Sequence, residues 1–282
     1  MHRFAYWAHN PKTVGSTPTP ATSLFARHWH STSVGCLCFY RKNFKMREIF
    51  FYLIIYPFII FGYFFPTNNL IILKHNTYTI GYNTNTHQAS WVEYTLTSNE
   101  LCSTAKFKRT DDFRIDPLLT NRNCFLVKPS YYNKSGYDKG HLCSAQDRAY
   151  SKEATSETFY MSNMSPQEPG FNRGIWKKLE EWTRNYAITN GYSVTVITGP
   201  IIFQKHFHMN TCTNICVPNM YYKILLTEIQ MDTYCITNEM SFLIPNEKLD
   251  GNVLDYKVNL NFILNFVYNF RCTNSFSIIK KH

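Results

Sequence analysis

Three observations predict an α+β fold over about residues 70–270. Short segments rich in β-branched and aromatic residues, with period-two alternation, stand towards both ends of this region. One amphipathic helical segment lies between them. Regular strand–helix–strand alternation and internal repeats are both missing, which argues against a parallel, doubly wound sheet.

The elements follow in order. Residues 77–82 and 90–96 (SWVEYTL) alternate and are separated by a polar Asn/Thr loop, so both read as strands. Residues 105–135 are irregular, with Pro117 and Pro129 as breakers. Residues 159–164 read as a short strand that stops at Ser165-Pro166. From 174 to 187 the spacing predicts a helix, with Ile175, Leu179 and Trp182 on one face and charges opposite. Residues 193–198 (SVTVIT), closed by Gly199-Pro200, read as a buried central strand, and 221–227 and 240–245 as two more.

Ahead of this region, residues 49–65 form an apolar run of seventeen, preceded by Lys42, Lys45 and Arg47. The run is short for a membrane span and long for a signal-peptide core, and Pro57 and Gly62 weaken a span. Residues 46–66 therefore read first as a cleaved export signal, although no clear A-x-A site is visible. An uncleaved N-terminal membrane anchor and a buried element are the alternatives. Residues 1–45 are Pro/Ser/Thr-rich without apolar periodicity and read as a non-native or disordered leader, with Met46 as a natural start.

Hydrophobic residues at 44% and aromatics at 17% exclude a disordered chain. The net charge of +10 suggests a polyanion partner, but its distribution weakens the point. Residues 1–65 hold seven Lys/Arg against Glu48 alone, leaving 22 basic and 18 acidic residues beyond them, a net of +4. None of the nine cysteines has zinc-finger spacing. Cys212 and Cys216 are candidates for a small disulfide if the chain is exported, with buried thiols as the alternative. His206 and His208 form an HxH pair without partners at ligand spacing, and read as loop histidines.

Two stretches carry chemistry. In Asp138-Lys139-Gly140-His141, an imidazole that titrates near neutrality can accept a proton from water. Gly140 allows close approach of a substrate, and Asp138 can orient neighbouring groups. In the second stretch, Asn172 and Glu180 are eight residues apart, about 80° in azimuth on a helix, so both can face one side. An amide oxygen is a ligand that Mg²⁺ accepts, and a carboxylate two turns on can hold its water. Each string alone has a plainer reading: an ordinary histidine, an Asn helix cap and a solvated Glu. The tyrosines Tyr131, Tyr132 and Tyr137, with Trp176 and Trp182, read as packing residues.

Together the run YDKGHLCSAQD…SETFYMSNMSPQEPGFNRGIWKKLE resembles the DNA/RNA non-specific endonuclease family. Asp138-Lys139-Gly140-His141 matches the family's D-R-G-H signature, with Lys for Arg. Ser162-Asn163-Met164-Ser165-Pro166-Gln167 matches the strand before its helix, and Asn172 and Glu180 match its N-x-G-x-W-x-x-L-E helix. Weaker matches extend over about residues 75–245. The resemblance implies a ββα-metal core on a mostly antiparallel central sheet, and hydrolysis of DNA and RNA to products with 5′-phosphates. It implies Mg²⁺ as cofactor, with Mn²⁺ or another divalent cation as alternatives. His141 would be the general base and Asn172 the direct metal ligand. Glu180 would position metal-bound water, Asn163 would steady the site, and Arg109, Lys139 and Arg173 would contact phosphate. DNA and RNA are then the partners, with a membrane through 49–65 if that run is uncleaved, and a homodimer is left open. The implied location is periplasmic or secreted.

The chain departs from the pattern at Lys139, which cannot reproduce an arginine fork. It departs again at 143–148 (CSAQDR) and beyond residue 246. A catalytically weakened nucleic-acid-binding member of the same fold is the alternative.

Overall fold

A computed structural model describes residues 70–265 apart from Tyr192, 204–207 and 231–234. The leader at 1–45, the signal or anchor at 46–66, His206 and the end of the expected domain at 266–270 lie outside the described residues. No helix among the described residues is long and apolar enough to cross a membrane.

In chain order the strands are β1 (Leu70–Lys74), β2 (Thr79–Asn83), β3 (Gln88–Leu96), β4 (Asp138–His141), β5 (Met164–Gln167) and β6 (Val194–Ile201). They continue with β7 (His208–Met209), β8 (Cys212–Cys216), β9 (Met220–Gln230), β10 (Cys235–Pro245) and β11 (Lys257–Val258). Seven of them form one antiparallel sheet in the order β1-β2-β3-β6-β9-β10-β11. The other four form the two-stranded pairs β4-β5 and β7-β8. Two helices bear on the site, α1 (Lys152–Glu157) and α2 (Lys177–Asn190). The α+β class holds, with a central sheet that is antiparallel throughout.

Period-two alternation in β3, β6 and β9 gives the sheet two apolar faces. On one face Val92, Tyr94 and Leu96 join Val194, Val196, Tyr221 and Leu225 under Ile175, Trp176, Leu179 and Ala187 of the helical segment. On the other, Trp91, Ile197, Tyr222 and Ile224 pack with Leu243 and Ile263. A third cluster, holding Tyr132 with Met161, Met164 and Met209, takes in Tyr131 and Tyr137, so these tyrosines do pack. Gly191 closes α2 at φ +67°, receiving the helix end without the steric cost of a side chain.

Two expectations change. Residues 159–164 are not a strand: Tyr160 makes one isolated bridge to Arg114, and Met161–Asn163 is a 3₁₀ turn. The strand begins at Met164, where the reading had it ending. Pro166 is tolerated because β5 pairs on one side only, with β4. Cys212 and Cys216 stand at opposite ends of the extended β8. Their Cα atoms are about 13 Å apart at strand rise, beyond the reach of a disulfide.

Leu179 is fully buried where α2 meets the sheet. We expect Leu179→Ala to lower unfolding free energy by about 2–5 kcal/mol in urea denaturation. A loss below about 0.5 kcal/mol, the size of an ordinary surface effect, would mean that α2 does not pack as described.

Candidate active site

The second sequence stretch folds onto the first. β4 is the Asp138–His141 stretch itself, paired antiparallel with β5 so that Asp138 faces Gln167 and His141 faces Met164. Gly140 is required by packing against protein rather than by substrate approach: a Cβ there would meet the Gln167 side chain at 2.1 Å. After β5, Pro169 opens a helical turn in which Glu168 Oε2 accepts from the Phe171 amide at 2.7 Å. Asn172–Trp176 then forms a π-helical turn, with Gly174 at φ −102°, ψ −109°, before α2 continues. The expected azimuth of Asn172 against Glu180 assumed an unbroken helix and does not apply. Both nevertheless face one cleft of about 550 Å³, with Arg109, Arg173, Ser144 and Arg184 in its walls.

His141 is 8% exposed and does not reach that wall. Its ring lies edge-on to Phe159 at 4.8 Å and tilted against Phe113 at 5.9 Å. Nε2 is buried and has no hydrogen-bond partner among the described residues. The Arg109 guanidinium lies over the same two rings, 4.9 Å from Phe159 and 6.0 Å from Phe113. Burial, and after it the Arg109 charge, push the imidazole down from 6.5 to about 3. The ring is therefore neutral at physiological pH, as a proton acceptor must be. Asn163 is buried behind it: Oδ1 accepts from the Cys143 amide at 2.9 Å, and Nδ2 donates to the Cys143 and Thr158 carbonyls at 3.0 and 2.8 Å. It fixes the backbone that leaves His141 and does not line the cleft.

Asp138 sets the other half of the site. Its Oδ2 accepts from Asn172 Nδ2 at 2.8 Å and from Arg173 Nε at 2.8 Å, and its Oδ1 from Arg173 Nη2 at 2.7 Å. Burial alone would raise the carboxyl, but these bonds and the Arg173 charge outweigh it and hold Asp138 below its ordinary value. The consequence for Asn172 is directional. With the amide nitrogen on a carboxylate, Oδ1 is turned away and accepts from no described residue. An outward, neutral, hard oxygen on a cleft wall is a donor that fits Mg²⁺, which keeps most of its waters. Among the described residues, no three His, Cys, Asp or Glu side chains cluster as an alternative metal centre.

Glu180, half-buried, accepts from Ser144 Oγ at 3.3 Å. Burial pushes its carboxyl up to about 7; Lys223 opposes this, Asp147 adds to it, and Arg184 and Ser144 oppose it. Asp147 is itself held by Tyr94 OH at 2.8 Å and Arg184 Nη1 at 2.8 Å.

Of the residues expected from sequence, Arg109, Asn172, Arg173 and Glu180 share the cleft. His141 and Asn163 lie behind it, and Lys139 places its ammonium 4.7 Å over Phe113. Sequence reasoning missed Ser144, Arg184 and Phe107. Arg184 stands one helical turn beyond Glu180, a spacing that marks a shared face. Phe107 is 42% exposed in the cleft wall, and its flanking Lys106 and Lys108 were the available signal.

The model of the family described as DNA/RNA non-specific endonuclease matches residues 58–274. The chain belongs to that family. Nuclease C1 of Cunninghamella echinulata var. echinulata is 32% identical over 67% of this chain and 77% of its own length. "Nuclease 1, mitochondrial" of Schizosaccharomyces pombe is 34% identical over 45% of this chain. The match spans only 43% of that relative's length. Among solved structures, EndoG from a complex with EndoGI aligns with a TM-score of 0.61 and 25% identity, covering 73% of this chain and 86% of that one. The ββα order of β4, β5 and α2 is thus the endonuclease-family core in this chain.

The His141 shift has a thermodynamic signature in this family member. Its folded pKa, about 3, lies below the unfolded 6.5, so between those values the unfolded chain binds more protons. Stability is full above about pH 6.5 and falls on acidification by up to about 1.4 kcal/mol per pH unit. We expect His141→Asn to show a weaker loss of urea midpoint between pH 7 and 4.5 than the parent. Parallel losses in both proteins would refute the buried neutral imidazole.

Proposed function

We propose that this chain is a divalent-metal-dependent endonuclease that hydrolyses phosphodiester bonds of DNA and RNA without regard to the sugar. One observation carries the reading: a neutral His141, its Nε2 without a partner among the described residues, stands behind a cleft into which Asp138 turns the amide oxygen of Asn172. Mg²⁺, or Mn²⁺ or another divalent cation, held through Asn172 would supply electrophilic stabilisation of the charge that develops on phosphate.

The chain's own residues do the rest. Arg109 and Arg173 attract the phosphate. A phosphate beside Arg109 offsets the charge that depresses His141, so substrate itself raises the basicity of the imidazole. His141 Nε2 takes a proton from the attacking water, and Glu180 would position water on a cation held through Asn172. The water oxygen bonds to phosphorus, the bond from phosphorus to O3′ breaks, O3′ takes a proton from solvent water, and the products carry a 5′-phosphate and a 3′-hydroxyl. Contacts confined to the backbone give low sequence preference.

His141→Ala, folded by circular dichroism, is expected to nick plasmid and degrade total RNA about 10²–10⁴-fold more slowly than the parent. EDTA is expected to stop the parent. An alanine variant that cuts at the parent's rate would remove His141 as the base.

A second reading, a nucleic-acid binder with weakened catalysis, is favoured by Lys139, which lies against Phe113 and lacks the arginine fork. A gel shift without cleavage in Mg²⁺ would select it. We also propose export through residues 49–65. Fractionation with N-terminal sequencing of the mature protein is expected to recover an exported form cut after that run, and recovery from an internal compartment with the run intact would reject it.

A further inference from the structure

Beneath the cleft lies a cation that the reaction scheme does not use. β9 alternates, and its helix-facing positions run Tyr221, Lys223, Leu225. Lys223 thus occupies a core position in the seven-stranded sheet, between Thr198 of β6 and Phe242 of β10. It is 1% exposed, and its Nζ has no hydrogen-bond partner among the described residues. The ammonium stands 4.7 Å over the Trp176 ring, one helical turn ahead of Glu180.

A buried ammonium without hydrogen bonds is costly, and an apolar side chain would suit the surrounding core better. What sets the site apart is its charge. The groups whose charge acts on Lys223 are Glu180 and Arg184 from α2, Asp147 from the turn after β4, and the Cys143 thiol. Tyr94 of β3 donates its hydroxyl to Asp147. Arg184 already pairs with Asp147 at 2.8 Å, whereas among the described residues Glu180 has only the Ser144 hydroxyl. Of the charges acting on Glu180, that of Lys223 is the largest. Burial lowers the lysine, while Glu180 and Asp147 sustain its charge.

We propose that Lys223 is a positioning residue for phosphodiester hydrolysis: its buried ammonium, seated on Trp176 one helical turn ahead of Glu180, is the counter-charge that favours the carboxylate form of Glu180 in the cleft it shares with Asn172. This rests on the endonuclease reading above and adds to it a residue that touches neither substrate nor cation. Lys223 acts through Glu180, so its effect falls on kcat and on the Mg²⁺ requirement, not on nucleic-acid affinity.

The test compares the full chain with Lys223→Met, Glu180→Gln and the double variant. Lys223→Met is expected to fold with an unchanged or raised Tm, since it removes an unpartnered buried charge. Its kcat should fall about 10–100-fold and its half-saturating Mg²⁺ should rise by a similar factor, with KM for plasmid unchanged. Without substrate, the Mg²⁺-induced rise in Tm should shrink in parallel. The double variant should be no slower than Glu180→Gln alone, and Lys223→Arg should recover part of the loss. If Lys223→Met does not fold, Lys223→Gln carries the same comparison. A Lys223→Met protein with the parent's kcat and Mg²⁺ response overturns the proposal, as does a double variant slowed by the product of the single effects. Failure of the endonuclease reading looks different: the parent itself would not cut in Mg²⁺, while the substrate-free Mg²⁺ shift would still judge Lys223.

Discussion

The site depends on the carboxylate of Asp138. It leaves the end of a two-stranded pair and grips the first two residues of the π turn, Asn172 and Arg173, through three hydrogen bonds of 2.7–2.8 Å. No other polar contact described between β4 and that turn does this work. By taking the amide nitrogen of Asn172 the carboxylate settles which end of the amide faces the cleft. By taking the guanidinium fork of Arg173 it places a cation at the rim. One side chain therefore converts a strand–turn–helix junction into a wall with a defined donor pattern. The bonds lie partly in water, so their value is more in geometry than in stability.

The interior behind that wall is set against its own solvation. Burial pushes His141 down, Glu180 up and Lys223 down, each towards the uncharged form. Folding alone gives no reason to bury three such groups, because apolar side chains would fill the space at less cost. The arrangement is coherent once a phosphate and a cation are added. In the proposed reaction an anion beside Arg109 would relieve His141, and a cation near Asn172 would relieve Glu180. Such displaced groups are the pattern of a site prepared for charges that arrive with the substrate.

How much of this was legible in the sequence depends on which force decides each element. β3, β6, β9 and β10 are set by side chains packing on two faces, and their β-branched alternation was readable. β4 was not, since Asp138-Lys139-Gly140-His141 has no strand propensity of its own; it is extended because Met164–Gln167 pairs with it. The same pairing explains the misreading of 159–164, where apolar residues pack as a turn and the strand lies further on. The motif positions of Asn172 and Glu180 were legible, but the π turn that sets their relation was not, because Gly174's backbone departure leaves no mark in spacing. Lys223 was least legible: a lysine in an apolar strand looks like a solvated face until the helix above it is seen.

The cations around His141 are held more loosely than the oxygen donor opposite. Arg109 pairs with an exposed Asp111 at 2.6 Å and lies across Phe159 and Phe113. An exposed ion pair is worth about 0–1 kcal/mol, and a largely exposed guanidinium over a ring about 0.5–1. Lys139 shares the Phe113 ring at 4.7 Å and repels Arg109 across it. Neither contact can compete with a phosphate, which offers charge-assisted hydrogen bonds to both. Phe113 and Phe159 thus serve as a resting surface from which these cations can transfer to a substrate while still shielding the imidazole. The arginine fork lost at Lys139 weakens the geometry of that transfer and leaves its charge intact.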